Sequence, residues 1–129
     1  MNSPQIPISW GELLDKITIL QIKLENLTSQ DALNNVGREL KQLQSIFIKF
    51  CPDAIKPKQL ELELKKINQQ LWDIEDKFRE KEKHKSFDDE FIQLARSVYM
   101  TNDERSHIKR RINETFRSDL IEEKSYADY

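Results

Sequence analysis

Glycine and cysteine are scarce in this chain, with two glycines and one cysteine in 129 residues. Two glycines are too few for the primed turns of a hairpin-rich sheet protein or for a phosphate-cradling loop, which excludes a Rossmann or P-loop nucleotide site. Cys51 has no partner for an internal disulfide, and one cysteine with two histidines gives no zinc-ligand spacing. It precedes Pro52 at a predicted helix end, far in sequence from either histidine, and is read as a small half-buried thiol rather than a nucleophile. No stretch approaches the roughly 18 apolar residues of a membrane span. The first eight residues lack the basic start and apolar run of a signal peptide, so a cytoplasmic location without membrane contact is expected. A dominant charge of one sign is also missing. With 21 basic against 23 acidic residues, the molecule as a whole is no clamp for nucleic acid.

What is abundant is charge laid out in helical rhythm. Hydrophobic residues make up 37% and charged residues 34%, which with so few turn formers implies long amphipathic helices. Trp10, Leu13, Ile17, Leu20, Leu24 and Leu27 recur at alternating three- and four-residue spacing and draw one apolar seam. Ser9 with Glu12 forms a capping box, so a first helix is predicted over 10–27. Thr28 and Ser29 offer caps for a second helix over 30–50, with its seam at Leu33, Val36, Leu40, Leu43, Phe47 and Phe50. Pro52 ends it by disfavouring the helical conformation at Cys51. Pro57 suits the first turn of a third helix over 57–83, carrying Leu60, Leu64, Ile67, Leu71, Ile74 and Phe78. Ser86 with Asp89 signals a fourth helix over 87–117, seamed by Phe87, Phe91, Leu94 and Val98 and again by Ile108, Ile112 and Phe116. Each stripe needs a partner to leave water. The expected fold is all-α, an antiparallel bundle of four main helices in a single domain over 1–129, with 1–8 and 118–129 as partly ordered tails; packing of Leu120, Ile121 and Tyr126 across the bundle as an extended strap is the alternative for the second.

The fourth seam turns polar between Met100 and His107. In a continuous helix Thr101, Asn102, Arg105 and Lys109 project toward the same side as Val98 and Ile112. Burying such groups costs kilocalories each unless they are bonded. Helix one offers Glu12, Asp15, Lys16 and Thr18 as partners, and ordered water and a ligand are the other means of satisfying them. A break at Thr101, which forms its own capping box with Glu104, is the competing outcome. Arg96, Tyr99, Asp103, His107 and Arg110 share the opposite face, as a solvated or dimer surface or as an acid–base group. Arg105, Lys109, Arg110, Arg111 and Arg117 concentrate positive charge able to receive a phosphate or sugar-phosphate, although neighbouring carboxylates weaken the field for nucleic acid. On helix three Asp73, Asp76 and Glu80 share a ridge, and Trp72, like Ile19 and Ile22 on helix one, lies off the main seam. A second covered face, within the bundle or against a second subunit, would account for those three.

Ile8-Ser9-Trp10-Gly11-Glu12-Leu13-Leu14-Asp15-Lys16-Ile17-Thr18-Ile19-Leu20, Leu71-Trp72-Asp73-Ile74-Glu75-Asp76, Ala95-Arg96-Ser97-Val98-Tyr99 with Thr101-Asn102-Asp103, and Lys109-Arg110-Arg111-Ile112-Asn113 with Glu123-Lys124-Ser125-Tyr126 together resemble a domain-of-unknown-function family of small proteins from bacteria and marine phages. The resemblance spans about 7–126. It implies a setting near surface-polysaccharide assembly and glycosyl transfer, and it carries no activity. Its motif residues repeat the two polar sets of helices one and four, which are expected to face one another. A likeness to the all-helical chorismate mutases fails, because helix one lacks the substrate-gripping arginines.

The expected function is a non-catalytic binding module, a homodimer, for a small anionic metabolite such as a sugar-phosphate or nucleotide-sugar. Its candidate residues are Glu12, Asp15, Lys16, Arg96, Tyr99, Thr101, Asn102, Asp103, Arg105, Lys109 and Arg110, with no cofactor. One alternative is a helical phosphohydrolase with magnesium on Glu12, Asp15, Glu75 and Asp103. The other is a structural dimerisation module whose polar cluster fixes register.

Overall fold

A computed structural model describes residues 2–129; Met1 lies outside the described residues. The helices among them are α1 (Trp10–Asn26), α2 (Gln30–Phe50), α3 (Lys58–Lys83) and α4 (Asp89–Phe116), with no strand. The all-α, four-helix expectation holds, with boundaries within two residues of those read from the seams. Side-chain caps explain most of the starts. Ser9 accepts from the Glu12 amide and Ser29 from the Ala32 amide. At α4 the cap is Asp88, accepting from Phe91, rather than Ser86, and Phe87 stays outside the helix. Pro57 stands at the cap of α3 rather than in its first turn.

α4 runs through Thr101 without a break. The local capping signal there loses to the continuing helix, because the residues one and two turns further on are bonded partners of α1. α1 packs against all three other helices, while α3 and α4 also pack on each other. This placement explains why α1 is buried on several faces, including Ile22, which left the main seam unexplained. The core gathers Leu13, Leu14, Ile17 and Leu20 from α1 with Val36, Leu40, Leu64, Ile67, Ile108, Ile112 and Phe116. Trp10 closes one end, stacked on Phe116 and edge-on to Phe47. At the other end α3 and α4 continue beyond α1 as a hairpin, joined by the stacked rings of Phe78 and Phe91.

α1 and α4 are antiparallel and unusually close at Gly11. A Cβ there would lie 2.6 Å from the Lys109 carbonyl oxygen and 2.9 Å from Asn113 Oδ1. The missing side chain is therefore what lets the two backbones meet, and the Gly11 amide donates to Asn113 Oδ1 at 2.7 Å. The chain uses glycine here and not at two helix ends where it would be usual. Lys85 and Arg117 both adopt the left-handed conformation, with φ of 54° and 52°.

After Arg117 the segment 118–129 turns back along the outer face of α4. It is coil, and its Leu120, Ile121 and Tyr126 do not pack across the bundle: all three are exposed. Polar contacts hold it instead. Ser118 Oγ accepts from the Trp10 amide, Glu122 and Glu123 reach Lys109 and Arg110, and the Tyr129 hydroxyl donates to Asp103.

Candidate functional site

The polar residues on the α4 seam meet partners from α1 and α3. Lys109 Nζ lies 2.8 Å from Glu12 Oε2, 3.1 Å from Glu122 Oε2 and 3.7 Å from Asp15 Oδ2. Asp15 is 4% exposed, so its charge has to be matched locally rather than by water. Asn68 Nδ2 donates to Asp15 Oδ1 at 2.9 Å and to Thr18 Oγ1 at 3.0 Å, while the Thr18 hydroxyl donates to the Asp15 carbonyl. Arg105 Nη1 stands 4.0 Å from Asp15 Oδ2. Three carboxylates thus face two cations. Burial opposes the Lys109 charge, but its hydrogen bonds to Glu12 and Glu122 and the nearby Asp15 carboxylate prevail and raise its pKa above the ordinary lysine value.

The two predicted sets divide by face. Glu12, Asp15, Arg105 and Lys109 are brought together as expected. Lys16 is exposed on the far side of α1, and Arg96 is exposed on α4. Thr101 and Asn102 are half-buried, the Asn102 carbonyl accepting from Ser106. Tyr99, Asp103 and Arg110 turn to the returning segment, where Tyr99 packs edge-on to Tyr129 and Arg110 pairs with Glu123 at 3.3 Å. Hydrogen bonding to Asp103 pushes the Tyr129 hydroxyl up to about 12.

The carboxylates of the magnesium alternative do not converge. Glu12 and Asp15 hold Lys109, Asp103 holds Tyr129, and Glu75 pairs with Arg79 at 3.4 Å. Among the described residues no group of three or more His, Cys, Asp or Glu side chains is placed to hold a metal ion.

Beside this cluster, where α3 and α4 run past α1, a groove of about 360 Å³ opens. Ile19, Ile22, Leu71 and Trp72 give it an apolar wall, and Asn68, Glu75, Arg79 and Arg105 give it polar edges. Its size falls within the range of roughly 300–1,000 Å³ usual for small-molecule sites. The off-seam positions of Trp72 and Ile19 are explained by this groove. Arg105 carries the exception to an otherwise bonded cluster, since its Nε is buried with no hydrogen-bond partner. Asp15, its nearest carboxylate, is shared with Asn68 and Lys109, so the guanidinium keeps unused donor capacity at the groove. Asn68 and the groove itself escaped the sequence reading. The available signal for Asn68 was its position one helical turn beyond Leu64, inside the α3 seam.

The profile of the Family of unknown function (DUF6165) matches residues 4–129, and the chain belongs to that family. No curated protein and no solved structure matches it.

Proposed function

We propose that this protein is a binding module for a small anionic metabolite of the sugar-phosphate or nucleotide-sugar class, taken up in the groove beside Trp72. The observation that carries the reading is the buried, unpartnered Nε of Arg105 at the edge of an apolar groove. A guanidinium with spare donors suits a phosphate oxygen pair. Trp72 offers an aromatic face to the apolar side of a sugar ring, and Asn68, Glu75 and Asp76 supply acceptors for its hydroxyls. Glu75 and Asp76 disfavour a bare dianion there, so a phosphate carrying a sugar fits better than inorganic phosphate. The cluster of Glu12, Asp15 and Lys109 holds Arg105 in place and makes no direct contact with ligand in this reading. The family resemblance supports a role in surface-polysaccharide metabolism, and exposed Ile48 and Phe50 support a homodimer.

Titration with glucose 1-phosphate, UDP-glucose and inorganic phosphate, with and without magnesium, tests the reading. Trp72 and Trp10 are the two tryptophans, and Trp10 is stacked away on Phe116. A saturable fluorescence change with a sugar-phosphate, lost in Trp72→Phe, is expected. Arg105→Gln should weaken binding by roughly tenfold or more, the scale of one charge-assisted hydrogen bond. Absence of a saturable response to all three compounds refutes the proposal, and magnesium-dependent turnover would replace it with the phosphohydrolase reading.

A further inference from the structure

The charged cluster connects the groove to the returning segment on α4. Asp15 stands between Arg105 and Lys109, at 4.0 Å and 3.7 Å. Lys109 is drawn more closely by Glu12 at 2.8 Å and by Glu122 at 3.1 Å. Glu122 belongs to the segment 118–129, whose apolar side chains remain exposed and whose attachments are polar. On the strap's own side these pairs are open to water, with Glu122 42% and Glu123 75% exposed, so this strap is of the kind that opens locally without unfolding the helices.

We propose that the strap regulates the anion site of the groove through Lys109 and Asp15, an inference that rests on the function proposed above. With the strap docked, Glu122 and Glu12 hold Lys109 at 3.1 Å and 2.8 Å, so the Asp15 carboxylate, 3.7 Å from Lys109, still acts on Arg105 at 4.0 Å. With the strap released, Lys109 turns fully to Asp15, and more of the Arg105 charge is left to a ligand phosphate. Charge acts in the same direction. Losing Glu122 leaves Glu12 and Asp15 facing Lys109 and Arg105, a neutral set in place of a negative one, which lowers the repulsion of an incoming anion. Linkage makes the effect reciprocal, so a ligand that binds better to the released form loosens the strap by the same factor.

The test uses the full chain and two variants. Glu122→Gln removes the strap charge that reaches Lys109, whereas Tyr129→Phe removes the attachment to Asp103 at the other end. Affinity for glucose 1-phosphate is measured by calorimetry, and the Arg105 Nε–H signal is followed by NMR without ligand. Glu122→Gln should bind roughly fivefold tighter, at the low end of ordinary coupling between sites, with Tyr129→Phe changed by less than about twofold. The Arg105 signal should move in Glu122→Gln and stay in place in Tyr129→Phe. An unmoved Arg105 signal in Glu122→Gln, or unchanged affinity in a protein that binds the sugar-phosphate, overturns the regulation and leaves the groove reading standing. A shifted Arg105 signal with no binding by wild type or variant overturns the groove reading, and the regulation with it.

Discussion

Replacing either glycine by alanine is the same chemical change, and the fold predicts opposite outcomes. In a helix interior the substitution stabilises by about 1 kcal/mol through propensity alone. At Gly37 on α2 nothing lies within 4 Å of the new methyl, so Gly37→Ala should realise that gain. At Gly11 the methyl would stand 2.6 Å from the Lys109 carbonyl oxygen, and restoring an ordinary separation of about 3.5 Å moves α4 outward by roughly 1 Å. The obstacle is backbone, which cannot rotate aside. Overpacking of this kind costs about 1–3 kcal/mol. The same movement stretches the 2.7 Å bond from the Gly11 amide to Asn113, a buried acceptor whose loss costs about 1–3 kcal/mol more. Partial relaxation and the propensity gain offset part of this, leaving a net destabilisation of about 2 kcal/mol, or about 8 °C in Tm for a domain of this size. Urea denaturation of wild type, Gly11→Ala and Gly37→Ala at constant m-value measures both signs. A Gly11→Ala protein as stable as wild type would refute the close approach of α1 and α4.

Lys109→Met leaves Glu12, Asp15 and Glu122 without their shared cation and should cost roughly 3 kcal/mol, the scale of breaking a buried pair from one side; denaturant melts showing a loss below about 1 kcal/mol would count against the cluster. Hydrogen bonds from Lys124 and Lys109 hold the Glu122 carboxyl below the ordinary glutamate value. Its contribution to strap docking is therefore present above that ordinary value and lost as pH falls through the lowered one, so limited proteolysis within 119–129 should accelerate below about pH 4, and a rate constant with pH refutes it. Lys85→Gly relieves a left-handed non-glycine residue and should stabilise by up to about 1 kcal/mol in thermal melts.

The helices were legible because each seam is long and its spacing regular, and because serine caps at positions 9 and 29 act within one turn of chain. The break suggested at Thr101 shows where local reading fails. Thr101 with Glu104 has the residues of a cap, yet bonds from Lys109 to Glu12 and from the Gly11 amide to Asn113 keep α4 helical through that region, and those partners are about a hundred residues away. Asp15, Arg105 and Lys109 were identifiable as charges on buried faces, which demand partners. Their division from Arg96, Tyr99 and Arg110 was not, since it depends on the segment 118–129 lying on one face of α4. The groove is illegible for a different reason: it is a gap between helices of unequal length, and the lengths show which elements overhang without showing how they diverge.

α1 packs against every other helix, whereas the α2 backbone approaches α1 alone. Stability is consequently distributed unevenly. Loss of α2 would strip one side of α1 while leaving the contacts among α1, α3 and α4 intact, so a partly opened form is accessible at lower free energy than complete unfolding. Amide hydrogens of α2 should therefore exchange sooner than those of α1. The same asymmetry gives the two sides of α1 different evolutionary latitude, because substitutions facing α2 perturb a single interface and those facing α3 and α4 disturb the cluster that holds Arg105.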